Sequence, residues 1–281
     1  MIAVEDRQAI VVAIQRALAE DIGPGDVTSE WVLPPGLQAT GSLVAKEPGV
    51  IAGLEVVEEV FRQISPEIRW HPLTADGAQV EAGEVVARVE GPAISLLSAE
   101  RVALNFLQRM SGIATEARRY VEVVCGAWAI ILDTRKTAPG LRVLDKMAVR
   151  LGGASNHRLG LYDMVLIKDN HIAAAGSITA AVELARAQNR TGLPIEVEVT
   201  NLEQLAEAVA LRVDRIMLDN MDLETMREAV ALVAREIPLE ASGGITLENV
   251  AEVAATGVDY ISVGALTHSV RALDISMEIV T

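Results

Sequence analysis

The chain has 281 residues and a formal net charge of −15, with 51% hydrophobic but only 3% aromatic residues. That length suits one large domain or two smaller ones, and the core must be built from Ala, Val, Leu and Ile, as in helix-rich α/β proteins. The acidic balance argues against general nucleic-acid binding. The single cysteine, Cys125, excludes an intrachain disulfide framework, fits a reducing cytoplasm and reads as a small core residue. No apolar run is long enough to cross a bilayer, and the N-terminus lacks the basic start and apolar stretch of a signal peptide.

In chain order, Glu5 to Glu20 reads as an amphipathic helix with Ile10, Ile14 and Leu18 on one face. Asp21 to Ser29 reads as a loop, Gly41 to Gly53 as strand-rich and Leu54 to Ile64 as helix. Asp76 to Pro92, punctuated by Gly77, Gly83 and Gly91, suggests hairpins in a small α+β domain. Ser98 to Val124 is a long helical stretch in which Gly112 marks either a break or a close contact. A domain boundary is placed near it.

From Ala129 the pattern changes to strand-then-helix units. The strands are AIILD (129–133), MVLIK (164–168), IEVEV (195–199), RIMLD (215–219), PLEAS (238–242) and YISVG (260–264). Helices follow over Ile178–Gln188, Leu202–Leu211, Leu223–Arg235 and Leu247–Ala255, with starts signalled by Thr200 with Glu203, by Asp222 and by Thr246. This is the rhythm of a parallel α/β barrel, and six strands rather than eight predict an open, incomplete one.

In such barrels the ligand lies at the C-terminal ends of the strands. Read in order, those ends are Asp133 with Thr134, Arg135 and Lys136, then Lys168, Glu198, Asp219, Ser242-Gly243-Gly244, and Gly264. Charged residues and glycines therefore converge on one mouth. The stretch Asp133 to His171 carries a formal balance of +3 in an otherwise acidic chain, as a small anionic ligand would need.

Glu198 and Asp219 end successive strands. They suit holding Mg²⁺ and ribose, acid–base work, or offsetting nearby cations. Ser242 to Gly244 precedes a helix and suits backbone N–H contacts to phosphate, with Gly264 at the equivalent place one strand later. Lys168 reads as an anion anchor rather than a Schiff-base lysine. Arg135 and Arg158 suit bidentate binding of carboxylate or phosphate. His157 is expected to touch ligand, His171 to orient its loop, and His71 and His268 to be ordinary surface or structural residues. Arg142, Lys146 and Arg150 share a helix face, read as a solvated or subunit-facing stripe.

The motifs EDIGPGDVTS (20–29), ERVALNFLQRMSGIAT (100–115), DTRKTAPGLR (133–142), GGASNHRLGLYDMVLIKDNH (152–171), EVEV (196–199), IMLDN (216–220) and EASGGI (240–245) together make the chain resemble the quinolinate phosphoribosyltransferases. The resemblance runs over nearly the whole chain. It implies an N-terminal α/β sandwich domain (1–112), to which 271–281 return, and an open α/β barrel (113–270). It implies a homodimer in which Arg101 reaches the neighbouring site. Quinolinate's carboxylates would be held by Arg135, His157, Arg158 and Lys168. Phosphoribosyl pyrophosphate (PRPP) and Mg²⁺ would be served by Lys136, Glu198 and Asp219, which are also the expected catalytic residues. Thr134 would join the substrate contacts, and Ser242 to Gly244 and Val263-Gly264-Ala265 would bind phosphate. Met147 in place of an aromatic residue and Ala154 in place of a glycine are the only departures singled out, and neither removes a charge. The rival readings are a relative acting on another base, a Schiff-base lyase and a silent scaffold. They fit the intact set of charges less well.

Overall fold

The computed structural model describes residues 4–280. The chain divides into two compact units. One is the chain up to Arg118 together with Thr137–Gly153 and the segment from Ser269 onward; the other is Arg119–Lys136 with Ala154–His268.

In the first unit, helix α1 (Val4–Ile22) buries Ile10, Ile14 and Leu18, the stripe that four-residue spacing predicts. The expected loop after it is shorter than read, because α2 (Val27–Val32) begins inside it. Asp26 Oδ1 accepts the Ser29 amide at 3.0 Å and caps that helix. Strands β1 (Gln38–Ala45) and β2 (Gly49–Val50) precede α3 (Leu54–Ile64), which buries Val56, Val57, Val60 and Phe61. Then come β3 (Arg69–Pro72), β4 (Gln79–Val80) and β5 (Val85–Pro92).

The glycine-punctuated segment is not a hairpin. β4 pairs with β2, whereas β5 pairs antiparallel with β1 and β3, so Val80 and Val85 belong to different sheets. Local turn signals locate the strand ends but leave partner choice to the tertiary fold. Helix α4 (Ala93–Val123) runs unbroken for 31 residues. Gly112 is there for close approach, since a Cβ added at it would fall 2.1 Å from the Arg271 carbonyl oxygen.

The second unit holds β6 (Ile130–Leu132), whereas α5 (Arg142–Leu151) belongs to the first. On α5 the solvated-stripe reading fails at Lys146, which is fully buried; Arg150 alone of the three is exposed. Asp145, also fully buried, takes a bidentate pair from Arg109 (both contacts 2.9 Å) and the amide of Ala138 (3.0 Å). Two aligned charge-assisted bonds are what make such burial tolerable.

The rest of the second unit alternates as the sequence predicts: β7 (Val165–Ile167), α6 (Asp169–Ala175), α7 (Ile178–Gln188), β8 (Ile195–Val199), α8 (Leu202–Ala210), β9 (Arg215–Asp219), α9 (Leu223–Val233), β10 (Leu239–Ser242), α10 (Val250–Ala254), β11 (Tyr260–Ser262) and α11 (Ala265–His268). Its six strands form one wholly parallel sheet in the order β6-β11-β10-β9-β8-β7. Edge strands β6 and β7 do not pair with each other among the described residues, so the barrel is open. Every residue of β8 is buried, as befits a central parallel strand covered on both faces.

Two helix starts differ from expectation. Asn201, not Thr200, caps α8, its Oδ1 accepting the Gln204 amide at 2.9 Å. α10 begins at Val250 rather than near Thr246, whose amide donates to Asn249 Oδ1. Asp222 caps α9 as expected, accepting the Thr225 amide at 2.8 Å. Cys125 is exposed rather than a core residue. The chain's last strand, β12 (Ile275–Val280), pairs antiparallel with β1, giving the first unit a sheet ordered β12-β1-β5-β3.

Candidate active site

Side chains alternate along a strand, so Glu196 and Glu198 share one face of β8, and Arg215, Met217 and Asp219 share one face of β9. The upper members, Glu198 and Asp219, line a cleft of about 640 Å³ in the second unit. Around it stand one group from the ends of β6 and β7 and the chain between them, Thr134, Arg135, Lys136, His157, Arg158 and Lys168, and a second from the ends of β9, β10 and β11, Asn220, Ser242, Gly243, Gly244, Gly264 and Ala265. That volume is in the range of small-ligand sites.

The cationic group is built on buried acceptors. Asp133, fully buried at the end of β6, takes the His157 amide on Oδ1 (2.8 Å) and the Asn156 side chain on Oδ2 (2.7 Å). It thereby fixes the turn that carries His157 and Arg158. The Arg158 amide donates to His157 Nδ1 at 2.8 Å, and its guanidinium donates to the Met164 carbonyl at 3.1 Å. Burial and the neighbouring Arg135 guanidinium hold Arg158 below the usual guanidinium value.

On its other edge, His157 Nε2 lies 3.1 Å from Glu196 Oε2 and 3.4 Å from Glu240 Oε2. Neither approach is a linear hydrogen bond, so the ring sits between two charges rather than on one acceptor. Burial opposes charge on this imidazole, yet the two carboxylates outweigh it and push its pKa up to about 9. Burial penalises the charge on both glutamates as well. Contacts to His157, Ser262 and Arg215 reverse this at Glu240, whose pKa is lowered, while Glu196 stays raised.

Lys168 has its own counter-ion, its Nζ lying 2.5 Å from Glu198 Oε2. Its amide donates to His171 Nδ1 at 2.9 Å, so His171 steadies the start of α6 as the sequence suggested. The anionic ligand is thus not the sole means of quieting the cluster; Arg135 and Arg158 are the pair of like charges brought side by side.

The second group is built on backbone geometry. Gly243 has φ +99°, and a Cβ there would fall 2.2 Å from Asn220 Oδ1; Gly244 follows with φ +62° and open space before it. Only glycine turns that corner without strain, and it leaves main-chain N–H groups open to a ligand. Asn220, itself at φ 52°, donates from its side chain to Asp219 Oδ2 at 2.9 Å. Gly264 lies under Lys136 and His268, and Thr267 Oγ1 donates to the Lys136 carbonyl at 2.9 Å, tying that loop to α11.

Comparison with known proteins decides the family. Residues 113–278 match the model of the C-terminal domain of quinolinate phosphoribosyl transferase and residues 26–111 that of its N-terminal domain. The chain belongs to the quinolinate phosphoribosyltransferase family. It is 50% identical over 272 residues to a probable nicotinate-nucleotide pyrophosphorylase [carboxylating] of Synechocystis, covering 95% of this chain and 91% of the relative. It is 49% identical to a protein of the same name from Bacillus subtilis, over 92% and 90% of the two chains. Its structure resembles the crystal structure of NadC from Streptococcus pyogenes, with a TM-score of 0.94 and 41% identity over 100% and 99% of the two chains.

Within this family member, the residues that sequence pattern brought together are gathered at one mouth, with two exceptions. Val263 is fully buried and does not line the cleft; Arg101 is exposed on α4, in the other unit. Sequence reasoning missed three residues. His268, read as ordinary, lines the cleft. Glu196 and Glu240 were overlooked, although the spacing of Glu196 and Glu198 two apart in a strand already put both inside the barrel.

Proposed function

We propose that this chain transfers the phosphoribosyl group of PRPP to quinolinate with decarboxylation, giving nicotinate mononucleotide, CO₂ and pyrophosphate. The observation that supports the reading is one cleft that gathers guanidinium, imidazole and ammonium groups with carboxylates and glycine loops, in a member of this family. Arg135, Arg158 and Lys168 would bind the two carboxylates of the pyridine, with His157 adding positive charge behind them. Ser242 to Gly244 and Gly264 with Ala265 would take phosphate, and Lys136 and Thr134 would meet the pyrophosphate end. Val263 would contribute through its backbone.

Glu198 and Asp219 offer hard oxygen donors from adjacent strands and leave room for water and phosphate oxygens, a set that fits Mg²⁺. Mg²⁺ bound there would neutralise charge growing on the pyrophosphate leaving group. Glu198 would exchange its Lys168 contact for that task, freeing Lys168 for the substrate. The pyridine nitrogen forms the bond to the anomeric carbon as the C–O bond to pyrophosphate breaks. The resulting cationic ring nitrogen stabilises the electron pair that stays on the adjacent carbon when CO₂ departs, and that carbon then takes up a proton. The chain supplies orientation and electrostatics, and no covalent enzyme intermediate forms.

The working form would be a homodimer, with Arg101 of each copy entering the other's cleft. The single cysteine supports a reducing, cytoplasmic setting. The deciding experiment incubates the protein with quinolinate, PRPP and Mg²⁺ and follows CO₂ and pyrophosphate. Nicotinate in place of quinolinate fails, because the clamp is left with unpaired cations. Equal turnover of nicotinate would overturn the reading. Mixing inactive Arg101→Ala and Lys168→Ala proteins restores about a quarter of the activity if the subunits share sites, since half of the exchanged dimers hold one intact site. No recovery after exchange would refute the shared site.

A further inference from the structure

Inward positions of a parallel α/β barrel are ordinarily filled by branched apolar side chains. Beneath this cleft the rule is broken by charged residues, among them Glu196 on β8 and Glu240 on β10, both fully buried. Glu240 is well supplied with partners. It takes Arg215 Nη1 at 3.1 Å, accepts a short hydrogen bond from Ser262 Oγ, and approaches His157. Arg215 in turn packs 4.2 Å from the Tyr260 ring centroid. Glu196 is different. Neither of its carboxylate oxygens makes a hydrogen bond, and the ion pair it forms is with His157. A buried carboxylate costs several kcal/mol unless a partner offsets it. The partner shown for Glu196 is the ring above it, so the reason for a glutamate at this position lies with that ring.

That ring is held at every polar point. Asp133 takes its main-chain amide, the Arg158 amide occupies Nδ1, and the two glutamates flank Nε2. Turning the ring would break the Nδ1 contact and free the Arg158 amide, leaving the Met164 carbonyl to hold the guanidinium that lines the cleft beside Arg135. We propose that Glu196 and Glu240 are positioning residues for quinolinate: from the layer below the cleft they lock the His157 ring, and through it the Arg158 segment, in the orientation that the pyridine dicarboxylate meets. The proposal rests on the phosphoribosyl-transfer reading and acts on one half of the cleft only, because the phosphate half is held by its own backbone.

The test uses Glu196→Gln and Glu240→Gln, which keep side-chain size and remove the charge. Steady-state kinetics on the full-length protein read the two substrates separately. The Michaelis constant for quinolinate rises about ten-fold or more in each variant, on the scale usual for removing an orienting partner, while that for PRPP stays within about two-fold. Nitrogen-15 spectra of the histidine side chains give a second readout in the free protein. The chain has four histidines, so His157 is identified by its loss in His157→Gln. Its Nε2–H signal lies downfield in the parent protein and moves or broadens in both variants. Should Glu240→Gln fail to fold, Glu196→Gln carries the test, since it leaves the Arg215–Glu240–Ser262 contacts intact. Variants in which both Michaelis constants move together, or only the melting temperature falls, overturn the proposal. A stoichiometric transition metal bound in the purified protein between His157, Glu196 and Glu240 would overturn it too. A parent protein inert toward quinolinate sinks the functional reading itself, an outcome distinct from an active parent with unselective variants.

Discussion

The two walls of the cleft are held in place by different means. The cationic wall depends on side chains supported by other side chains: Asp133 under the His157 turn, Glu196 and Glu240 behind the imidazole, Glu198 against Lys168. The glycine wall depends on the main chain, on the left-handed corner of Gly243 and Gly244 against Asn220. Concentrated positive charge has to be stabilised from behind before a ligand arrives, or like charges push their carriers apart. Backbone N–H groups carry only partial charge and need a fixed path of the chain rather than a counter-ion. A charge-neutralising substitution should therefore damage the first wall, and a Cβ the second.

The largest expected effect comes from the first wall's direct contact. Arg158→Ala removes a bidentate donor from a partly desolvated site. It lowers kcat/KM for quinolinate by about 10²–10³, in line with the 2–5 kcal/mol lost on truncating such pairs, with little change in the Michaelis constant for PRPP. Equal losses for both substrates would break the division of labour. Next comes Gly243→Ala. Its φ of +99° and a 2.2 Å clash with Asn220 force the loop to move, and the cost of about 1–3 kcal/mol should fall on PRPP binding. Isothermal titration with PRPP reads it. Pairing the change with Asn220→Gly relieves the clash but not the φ, and recovers the loss only in part.

A smaller effect follows from His157. Its folded pKa of about 9 lies above the ordinary imidazole value, so its stabilisation is complete below about pH 6.5 and is lost as pH rises through 9. Thermal melts should fall across that window in the parent and run flatter in His157→Gln; parallel curves would remove the ion pair from the account. The smallest effect lies outside the cleft. Asp222→Ala removes the cap of α9 and lowers the melting temperature slightly with turnover unchanged. A change in turnover there would mean that cap and cleft are coupled.

Much of this was legible in the primary structure, for local reasons. Strand alternation and helix periodicity are short-range patterns, so the six parallel strands, α3, α7 and the stripe of α1 could be read directly. Because barrel ligands gather at strand ends, naming those ends was enough to name Lys168, Glu198, Asp219 and Ser242 as neighbours. The errors share a cause. Whether Val85 pairs with Val80 or with distant β1 and β3, whether Lys146 and Cys125 face water, and which of Thr200 and Asn201 caps α8 depend on what else arrives nearby.

By itself, then, the order of residues determined the repeating units, their parallel arrangement and the list of charges delivered to one mouth, since each follows from spacing along the chain. Only the tertiary structure decided that Glu196 and Glu240 meet His157 from strands some forty residues apart in sequence. Counter-charges beneath a binding site are contributed by whichever strands the sheet order makes adjacent to it, and sheet order is not written in the spacing of any one segment.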